Sequence, residues 1–385
     1  MSARGFKNRI QKHPCMKQHD HIKIIISGGG TGGHIFPAIS IADELKRRDI
    51  STEILFVGAM GRMEMERIPA AGYEIRGLPV SGFQRKLTLA NLKVLYDAWR
   101  SMIIAKKILS EFKPHMAIGV GGYASGPLLR SASKMGIPTL LQEQNSYAGL
   151  TNRLLAKKAR TICVAYSHME RYFPAAKIVF TGNPVRDIRI TKKLREEGLK
   201  YFGFSGDRPI ILVVGGSLGA RTINQAVWKK IDTLIKADVQ VIWQTGKIYH
   251  SSILGRVNPK DLTDFRIYDF ITRMDLAYNV ADVMISRAGA ISISEICLTG
   301  RASILVPSPN VAEDHQTKNA MALVREKAAI LVKDHEAEEN LIPRTLEVIE
   351  NKELARELAA NSLKMAKPDS TKQIVNEVHK ILDKL

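Results

Sequence analysis

Residues 21–45 read HIKIIISGGGTGGHIFPAISIADEL. Ile22, Ile24, Ile25 and Ile26 make a short β-branched run, the mark of a buried strand. Gly28, Gly29, Gly30, Gly32 and Gly33 follow at once. Pro37 then stands where a first helical turn is expected, and Ala38, Ile39, Ile41, Ala42 and Leu45 recur at helical spacing. The unit is therefore strand, glycine loop, helix. Glycine lets the backbone turn sharply and lets a ligand approach its N–H groups. A helix N-terminus adds unpaired donors and partial positive charge, so an anion is well placed there. A turn that merely packs a helix on a sheet needs fewer glycines than this loop holds. The loop lacks the Gly-Lys-Ser/Thr of a P-loop. It is also a poor dinucleotide fingerprint, which requires an acidic residue about 20 residues on. The second strand, near 52–57, ends in Gly58-Ala59-Met60 with no carboxylate.

From this unit the pattern repeats outward. Strand candidates at 22–26, 52–57, 73–80, 116–120, 138–142, 161–166 and 177–181 alternate with helical patterns such as 89–111 and 148–158. Gly182-Asn183-Pro184 interrupts the series, and 186–208 is charged and helical in pattern. At 210–214 the chain restarts with Ile-Ile-Leu-Val-Val, then Gly215-Gly216-Ser217-Leu218-Gly219-Ala220. Further strands are expected at 239–243, 266–271, 283–286, 303–306 and 329–332, and a helical tail at 345–385 broken by Pro368. Alternation of this kind predicts two α/β halves with parallel sheets. Ligands of such sheets lie beyond the carboxyl ends of the strands, so two facing halves form a cleft.

Composition narrows the function classes. The chain has 385 residues, enough for two ordinary domains, with 45% hydrophobic and 25% charged residues. No apolar run approaches the 18 or so residues of a spanning helix. Residues 1–20 have no signal-peptide core and read as a basic leader. Cys15, Cys163 and Cys297 have neither disulfide parity nor metal spacing. The net charge of +19 points to an anionic partner: nucleic acid, acidic lipid or a phosphorylated substrate. Without a recognition motif, nucleic acid has little support.

Several loops at expected strand ends carry chemistry. Gly121-Gly122-Tyr123-Ala124-Ser125-Gly126-Pro127 and Glu143-Gln144-Asn145 follow strands of the first half. Each alone is compatible with an ordinary βα turn; together they surround the first loop. In the second half, Ser286-Arg287-Ala288-Gly289-Ala290 opens a helix whose N-terminus suits a phosphate. Glu295, one turn in, suits ribose hydroxyls or simply the helix dipole. Asp314 is a candidate cap for the helix carrying His315, Gln316 and Asn319.

With these motifs in hand, the sequence resembles the MurG family of bacterial peptidoglycan glycosyltransferases, within glycosyltransferase family 28. The resemblance rests on GGGTGGHIFPA at 28–38, GGYASGP at 121–127, QEQN at 142–145, GNPVR at 182–186, GGSLGA at 215–220, SRAGAISISE at 286–295 and HQTKNA at 315–320. It implies the GT-B fold: two Rossmann-like domains facing a cleft, with a C-terminal helix crossing back to the first. The implied divisions are an acceptor and membrane domain at 21–183, rejoined by 367–385, and a donor domain at 184–366. The implied reaction is inverting transfer of N-acetylglucosamine from UDP-N-acetylglucosamine to lipid I, undecaprenyl-pyrophosphoryl-N-acetylmuramyl-pentapeptide, giving lipid II. It needs no cofactor and no catalytic metal. Residue by residue, the resemblance places Thr31, Gly32 and Gly33 near donor sugar and diphosphate, and Asn145 on the donor sugar. It places Arg186 and Ser217 near the nucleotide phosphates and the Ile271 backbone at uracil. Ala290, Ile291, Ser292, Ile293, Ser294 and Glu295 hold diphosphate and ribose, with Glu295 on the ribose, and Gln316 binds the sugar hydroxyls. Ser292 departs from the threonine common in relatives, the 307–314 loop is longer than in some members, and residues 1–20 match nothing.

Inverting transfer needs a base for the acceptor hydroxyl. His34 is the leading candidate, since imidazole titrates near neutrality. Glu143 is its rival, and a phosphate-donating role for His34 is the other alternative. The resemblance also implies peripheral attachment to the cytoplasmic face of the membrane, with other cell-wall synthesis proteins as further partners. Phe83, Arg85, Lys86 and Leu87 combine an apolar tip with positive charge, as an anionic membrane surface requires. The functions left to be separated are another GT-B enzyme, such as a UDP-sugar epimerase or glycolipid synthase, and a basic nucleotide- or nucleic-acid-binding module.

Overall fold

The computed structural model describes residues 21–80, 90–186, 188–216, 218–258, 263–311 and 314–385, with side chains for all of these but 90–95. Two wholly parallel sheets organise the chain. The first contains β1 (Lys23–Gly28), β2 (Glu53–Ala59), β3 (Glu74–Leu78), β4 (Met116–Gly121), β5 (Thr139–Glu143), β6 (Thr161–Val164) and β7 (Ile178–Phe180), in the order β3-β2-β1-β4-β5-β6-β7. The second contains β8 (Ile210–Val214), β9 (Gln240–Gln244), β10 (Phe265–Tyr268), β11 (Val283–Ser286), β12 (Ala302–Leu305) and β13 (Ile330–Leu331), in the order β10-β9-β8-β11-β12-β13. Two α/β halves were expected from the motifs, and this is the two-domain GT-B arrangement that the family resemblance implies.

Parallel strands are covered by helices on both faces, so they read as continuous apolar runs. Ile24, Ile25 and Ile26 are all fully buried, and consecutive residues face opposite cores: Ile25 packs with Leu129 and Leu141, whereas Ile24 and Ile26 pack with Ile35 and Ile41. Strand order reverses between β1 and β4 and again between β8 and β11. Such a reversal leaves a crevice at the carboxyl ends of the two central strands. The glycine loops after β1, β4 and β8 and the loop after β11 all open there.

The helix after the first glycine loop spans Gly32–Arg48. It starts a full turn before Pro37, which lies inside it rather than in its first turn. Proline has no N–H, so the Gly33 carbonyl lacks its usual partner one turn on. The early start brings Gly32 and Gly33 into the first turn, where amides have no intrahelical acceptor.

The chain ends by crossing back to the first half. Helices Ala337–Glu350 and Lys352–Lys364 belong to the second half, and a break containing Pro368 leads to a last helix, Ser370–Leu382. That helix buries Ile374, Val375, Val378, Ile381 and Leu382 against Ile24, Ile26 and Ile41 of the first half. Arg48 ties it further, donating to Asn376 Oδ1 at 2.7 Å and to the Lys372 carbonyl at 2.9 Å. The two crossing segments touch: a Cβ on Gly182 (φ +86°) would lie 2.4 Å from Ser370 Oγ.

Candidate active site

The floor of the cleft is the contact between the first two glycine loops. Gly122 (φ +90°) approaches Gly29 so closely that a Cβ on Gly122 would sit 2.5 Å from the Gly29 carbonyl oxygen. Ser125 fastens the second loop, donating to the Ser27 and Gly121 carbonyls at 3.0 and 2.8 Å. His34 lies on this floor. Its Nδ1 is 3.0 Å from the Gly29 carbonyl oxygen, and a Cβ on Gly121 would sit 2.8 Å from its Nε2. A carbonyl accepts only, so the neutral ring carries its proton on Nδ1 and leaves Nε2 with a lone pair. Burial is the main influence on the ring and lowers its pKa below the ordinary 6.5; the charge of His315 across the cleft acts the same way, and the Gly29 bond and Glu64 oppose them. The neutral, base-competent form is therefore favoured at neutral pH.

Glu143 is built differently. It is 2% exposed, and its carboxylate accepts from the amides of Asn145 (3.1 Å) and Gly149 (3.0 Å) and from Asn152 Nδ2 (2.9 Å). Burial raises its pKa against these bonds. The carboxylate thus organises loop 144–149 from within. That loop carries Asn145 to the opposite half: Asn319 Nδ2 donates to Asn145 Oδ1 at 3.4 Å, and Asn319 Oδ1 accepts from Ser146 Oγ at 3.1 Å.

The second half contributes the helix Ala290–Thr299, capped by extended Gly289 without a side-chain bond. Its first amides, at Ala290, Ile291 and Ser292, are free of helical acceptors. Ser294 Oγ donates back to Ala290 O, and Asn183 Nδ2 donates to Ser294 Oγ at 3.0 Å. The Ile293 side chain is buried in the core beneath, and its amide donates to Gly289 O at 2.9 Å, so it shapes the turn without facing the cleft. Glu295 is 6% exposed; its Oε1 accepts from Arg186 Nε at 2.6 Å and its Oε2 from the Tyr278 hydroxyl at 2.8 Å. Arg186 also lies over the Phe36 ring at 5.9 Å, joining the two halves.

Ile271 is buried after β10, and its amide donates to Gln244 Oε1 at 2.9 Å, leaving its carbonyl as the candidate base-reading group. Gln316 opens the helix His315–Arg325, and its Oε1 accepts from the Ser308 amide at 2.9 Å. Asp314 stands at the cap position in the left-handed region (φ +53°), but its carboxylate accepts from the Thr317 hydroxyl at 2.7 Å rather than from a backbone amide. Thr31 and Gly33 are exposed, with Gly32 partly so. Ser217, Phe83, Arg85, Lys86 and Leu87 lie outside the described residues.

Two residues near the site escaped the sequence reading. Tyr278 looks like an ordinary helix residue. Glu64 sits in RMEMER, an unremarkable first turn, yet its carboxylate folds back to the end of β2, where no acid was expected. There it accepts from the Ala59 amide at 3.0 Å and the Gly30 amide at 2.8 Å. The available signal was a pair of glycines, Gly29 and Gly58, at the ends of neighbouring strands.

Known proteins share both halves. The family model for the glycosyltransferase family 28 N-terminal domain matches residues 24–164, and that for the C-terminal domain matches 210–374. A Parabacteroides distasonis protein named UDP-N-acetylglucosamine–N-acetylmuramyl-(pentapeptide) pyrophosphoryl-undecaprenol N-acetylglucosamine transferase is 56% identical over 94% of this chain and 99% of its own length. A Cytophaga hutchinsonii protein of the same name is 53% identical over 96% and 99%. The crystal structure of Acinetobacter baumannii MurG superposes with a TM-score of 0.71 at 26% identity, covering 94% of this chain and all of that one. A putative UDP-N-acetylglucosamine 2-epimerase from Listeria monocytogenes has a TM-score of 0.67 at 12% identity, which is likeness of fold alone. The chain belongs to glycosyltransferase family 28 and, within it, to the MurG family.

Proposed function

We propose how the residues of this cleft divide the work of a glycosyl transfer. The chain is a UDP-N-acetylglucosamine-dependent glycosyltransferase of peptidoglycan synthesis. It moves N-acetylglucosamine from UDP-N-acetylglucosamine onto undecaprenyl-pyrophosphoryl-N-acetylmuramyl-pentapeptide. In our reading, residues 21–183 with 367–385 receive the acceptor, and residues 184–366 hold the donor. Nε2 of His34 takes the proton of the acceptor's C4 hydroxyl as its oxygen bonds to the anomeric carbon and UDP leaves from the opposite face. One in-line step of this kind inverts the anomeric centre. The leaving diphosphate meets the free amides of Ala290, Ile291 and Ser292, those of Gly32 and Gly33, and Arg186. Ser217 joins this phosphate group, with Thr31 and Asn145 on the sugar. Glu295 takes the ribose, Gln316 the sugar hydroxyls and the Ile271 backbone the uracil. Glu143 serves by holding the Asn145 loop.

The observation that carries this reading is the His34 ring: its Nδ1 is held by Gly29 O at 3.0 Å in the first turn of the helix Gly32–Arg48, with Nε2 left as the acceptor. The test is transfer of labelled sugar from UDP-N-acetylglucosamine to a lipid I analogue, by wild type and His34→Ala. Product formed by the wild type and lost in the variant is expected; equal rates would remove His34 from the chemistry.

A lipid acceptor requires work at a membrane surface. No helix of the described residues is long and apolar enough to cross a membrane. On the helix Ala90–Phe112, Tyr96, Trp99 and Ile103 are more than half exposed at one-turn spacing, beside exposed Arg100, Lys106 and Lys107. We assign this stripe, with Phe83, Arg85, Lys86 and Leu87 just before it, to an anionic surface on the cytoplasmic face.

A further inference from the structure

Glu64 opens the short helix Glu64–Ala70 and is fully buried. Both carboxylate oxygens are engaged with backbone amides at the ends of two adjacent strands, Oε2 with Gly30 and Oε1 with Ala59. Its side chain runs through space that two glycines leave open. A Cβ on Gly29 would lie 2.1 Å from Glu64 Oε1, and one on Gly58 would lie 2.6 Å from its Cγ. From the other side, Gly122 presses on Gly29. The residue whose carbonyl holds the His34 ring is thus clamped between a buried carboxylate and the second glycine loop.

A turn does not need this device. Burying a carboxylate costs several kcal/mol, and water serves an exposed loop amide as well. The described residues also place no cation on Glu64: its hydrogen bonds are to neutral amides. A charge kept at such cost, one residue from a catalytic contact, has an electrostatic use when a positive charge develops nearby.

We propose that Glu64 is a positioning residue for the transfer reaction: it fixes Gly29 and Gly30 so that the His34 ring is aimed at the acceptor, and its negative charge stabilises the imidazolium formed on proton uptake. The proposal rests on the reading of His34 as base. The groups acting on that ring are consistent with it. Glu64 favours the protonated form, His315 from the facing helix opposes it, and the Thr31 hydroxyl lies 3.4 Å from Nδ1. Glu295, on the helix packed opposite, is occupied by Arg186 and Tyr278.

Glu64→Gln tests this. The amide fits the same space but turns an NH₂ group toward one of the two backbone donors and removes the charge. The expected result is a kcat lower by about 10–100-fold, as for a slightly misplaced catalytic group, with donor KM within about twofold. The acid limb of the kcat/KM profile should move to lower pH, because His34 loses a favourable charge. Gly58→Ala is the second variant: it leaves the carboxylate present and pushes on its Cγ, so kcat should fall while UDP-N-acetylglucosamine still binds. A folded Glu64→Gln enzyme with kcat within threefold of wild type overturns the proposal. So does a lower kcat with an unmoved acid limb, the signature of a mere filler. Should Glu64→Gln fail to fold, wild-type kcat in Gly58→Ala overturns it. His34→Ala is run in parallel. Near-normal kcat there sinks the base reading and this proposal with it, whereas a large loss there beside a normal Glu64→Gln sinks this proposal alone.

Discussion

Glu295→Ala separates the carboxylate's structural work from its work on the donor. Glu295 is shared between Arg186 and Tyr278. Truncation leaves the Tyr278 hydroxyl, on a residue 4% exposed, without its acceptor. Burial and the neighbouring carboxylate push that hydroxyl's pKa well above 10, so it stays a donor. An orphaned buried donor costs about 1–3 kcal/mol. The Arg186 side chain is 44% exposed, so solvent screens its loss to about 0–1 kcal/mol. For a unit of this size each kcal/mol lowers Tm by about 2–4 °C, so a fall of several degrees is expected with the enzyme still folded at 25 °C. The donor effect adds to this. A charged hydrogen bond to a ribose hydroxyl contributes about 1.5–3 kcal/mol, or about 10–150-fold in affinity. Calorimetric titration with UDP-N-acetylglucosamine, alongside donor KM at saturating acceptor, reads it directly. Acceptor KM should change little. Tyr278→Phe is the control: it removes one protein donor from Glu295 while keeping the carboxylate, so donor affinity should hold or improve. A folded Glu295→Ala enzyme with donor affinity within twofold of wild type would refute the ribose assignment.

Three further outcomes are expected. His34→Ala should lower kcat by about 10²–10⁴ with little change in KM, and in the wild type the acid limb of kcat/KM should have its midpoint below 6.5, because the base must be neutral and burial lowers its pKa; a midpoint above 7 speaks against His34. Combining Phe83→Ser with Arg85→Glu and Lys86→Glu should weaken binding to anionic vesicles in a salt-dependent way, each basic residue near the surface contributing about 1 kcal/mol, while transfer to a water-soluble acceptor analogue persists; unchanged vesicle binding moves the attachment to the Tyr96–Trp99 stripe alone. Ile374→Ala, at a fully buried position of the last helix, should cost about 2–5 kcal/mol in chemical denaturation, and a loss under 1 kcal/mol would mean that the crossing helix adds little to the first half.

The regular parts of this fold were legible because they rest on local chemistry. Each expected strand from 22–26 to 329–332 became a strand, since an apolar run with β-branched residues has one good use in a doubly covered sheet. The glycine loops were legible for the same reason: a positive φ, as at Gly30, Gly121 and Gly216, favours glycine whatever lies around it. What was not legible depends on partners distant in the chain. Pro37 marked a helix start by its own preference, but the helix begins a turn earlier, at Gly32. Asp314 is a cap by type, yet its left-handed backbone turns the carboxylate to Thr317. Tyr278 carries no local signal and Asn319 was legible only as a polar residue entering a helix, because each acquires its partner from another element. Glu64 shows the boundary between the two kinds of information. Gly29 and Gly58 recorded a close approach, although neither could say what approached. The empty Cβ positions were in the sequence; the carboxylate that fills them is found only once β1 and β2 lie side by side.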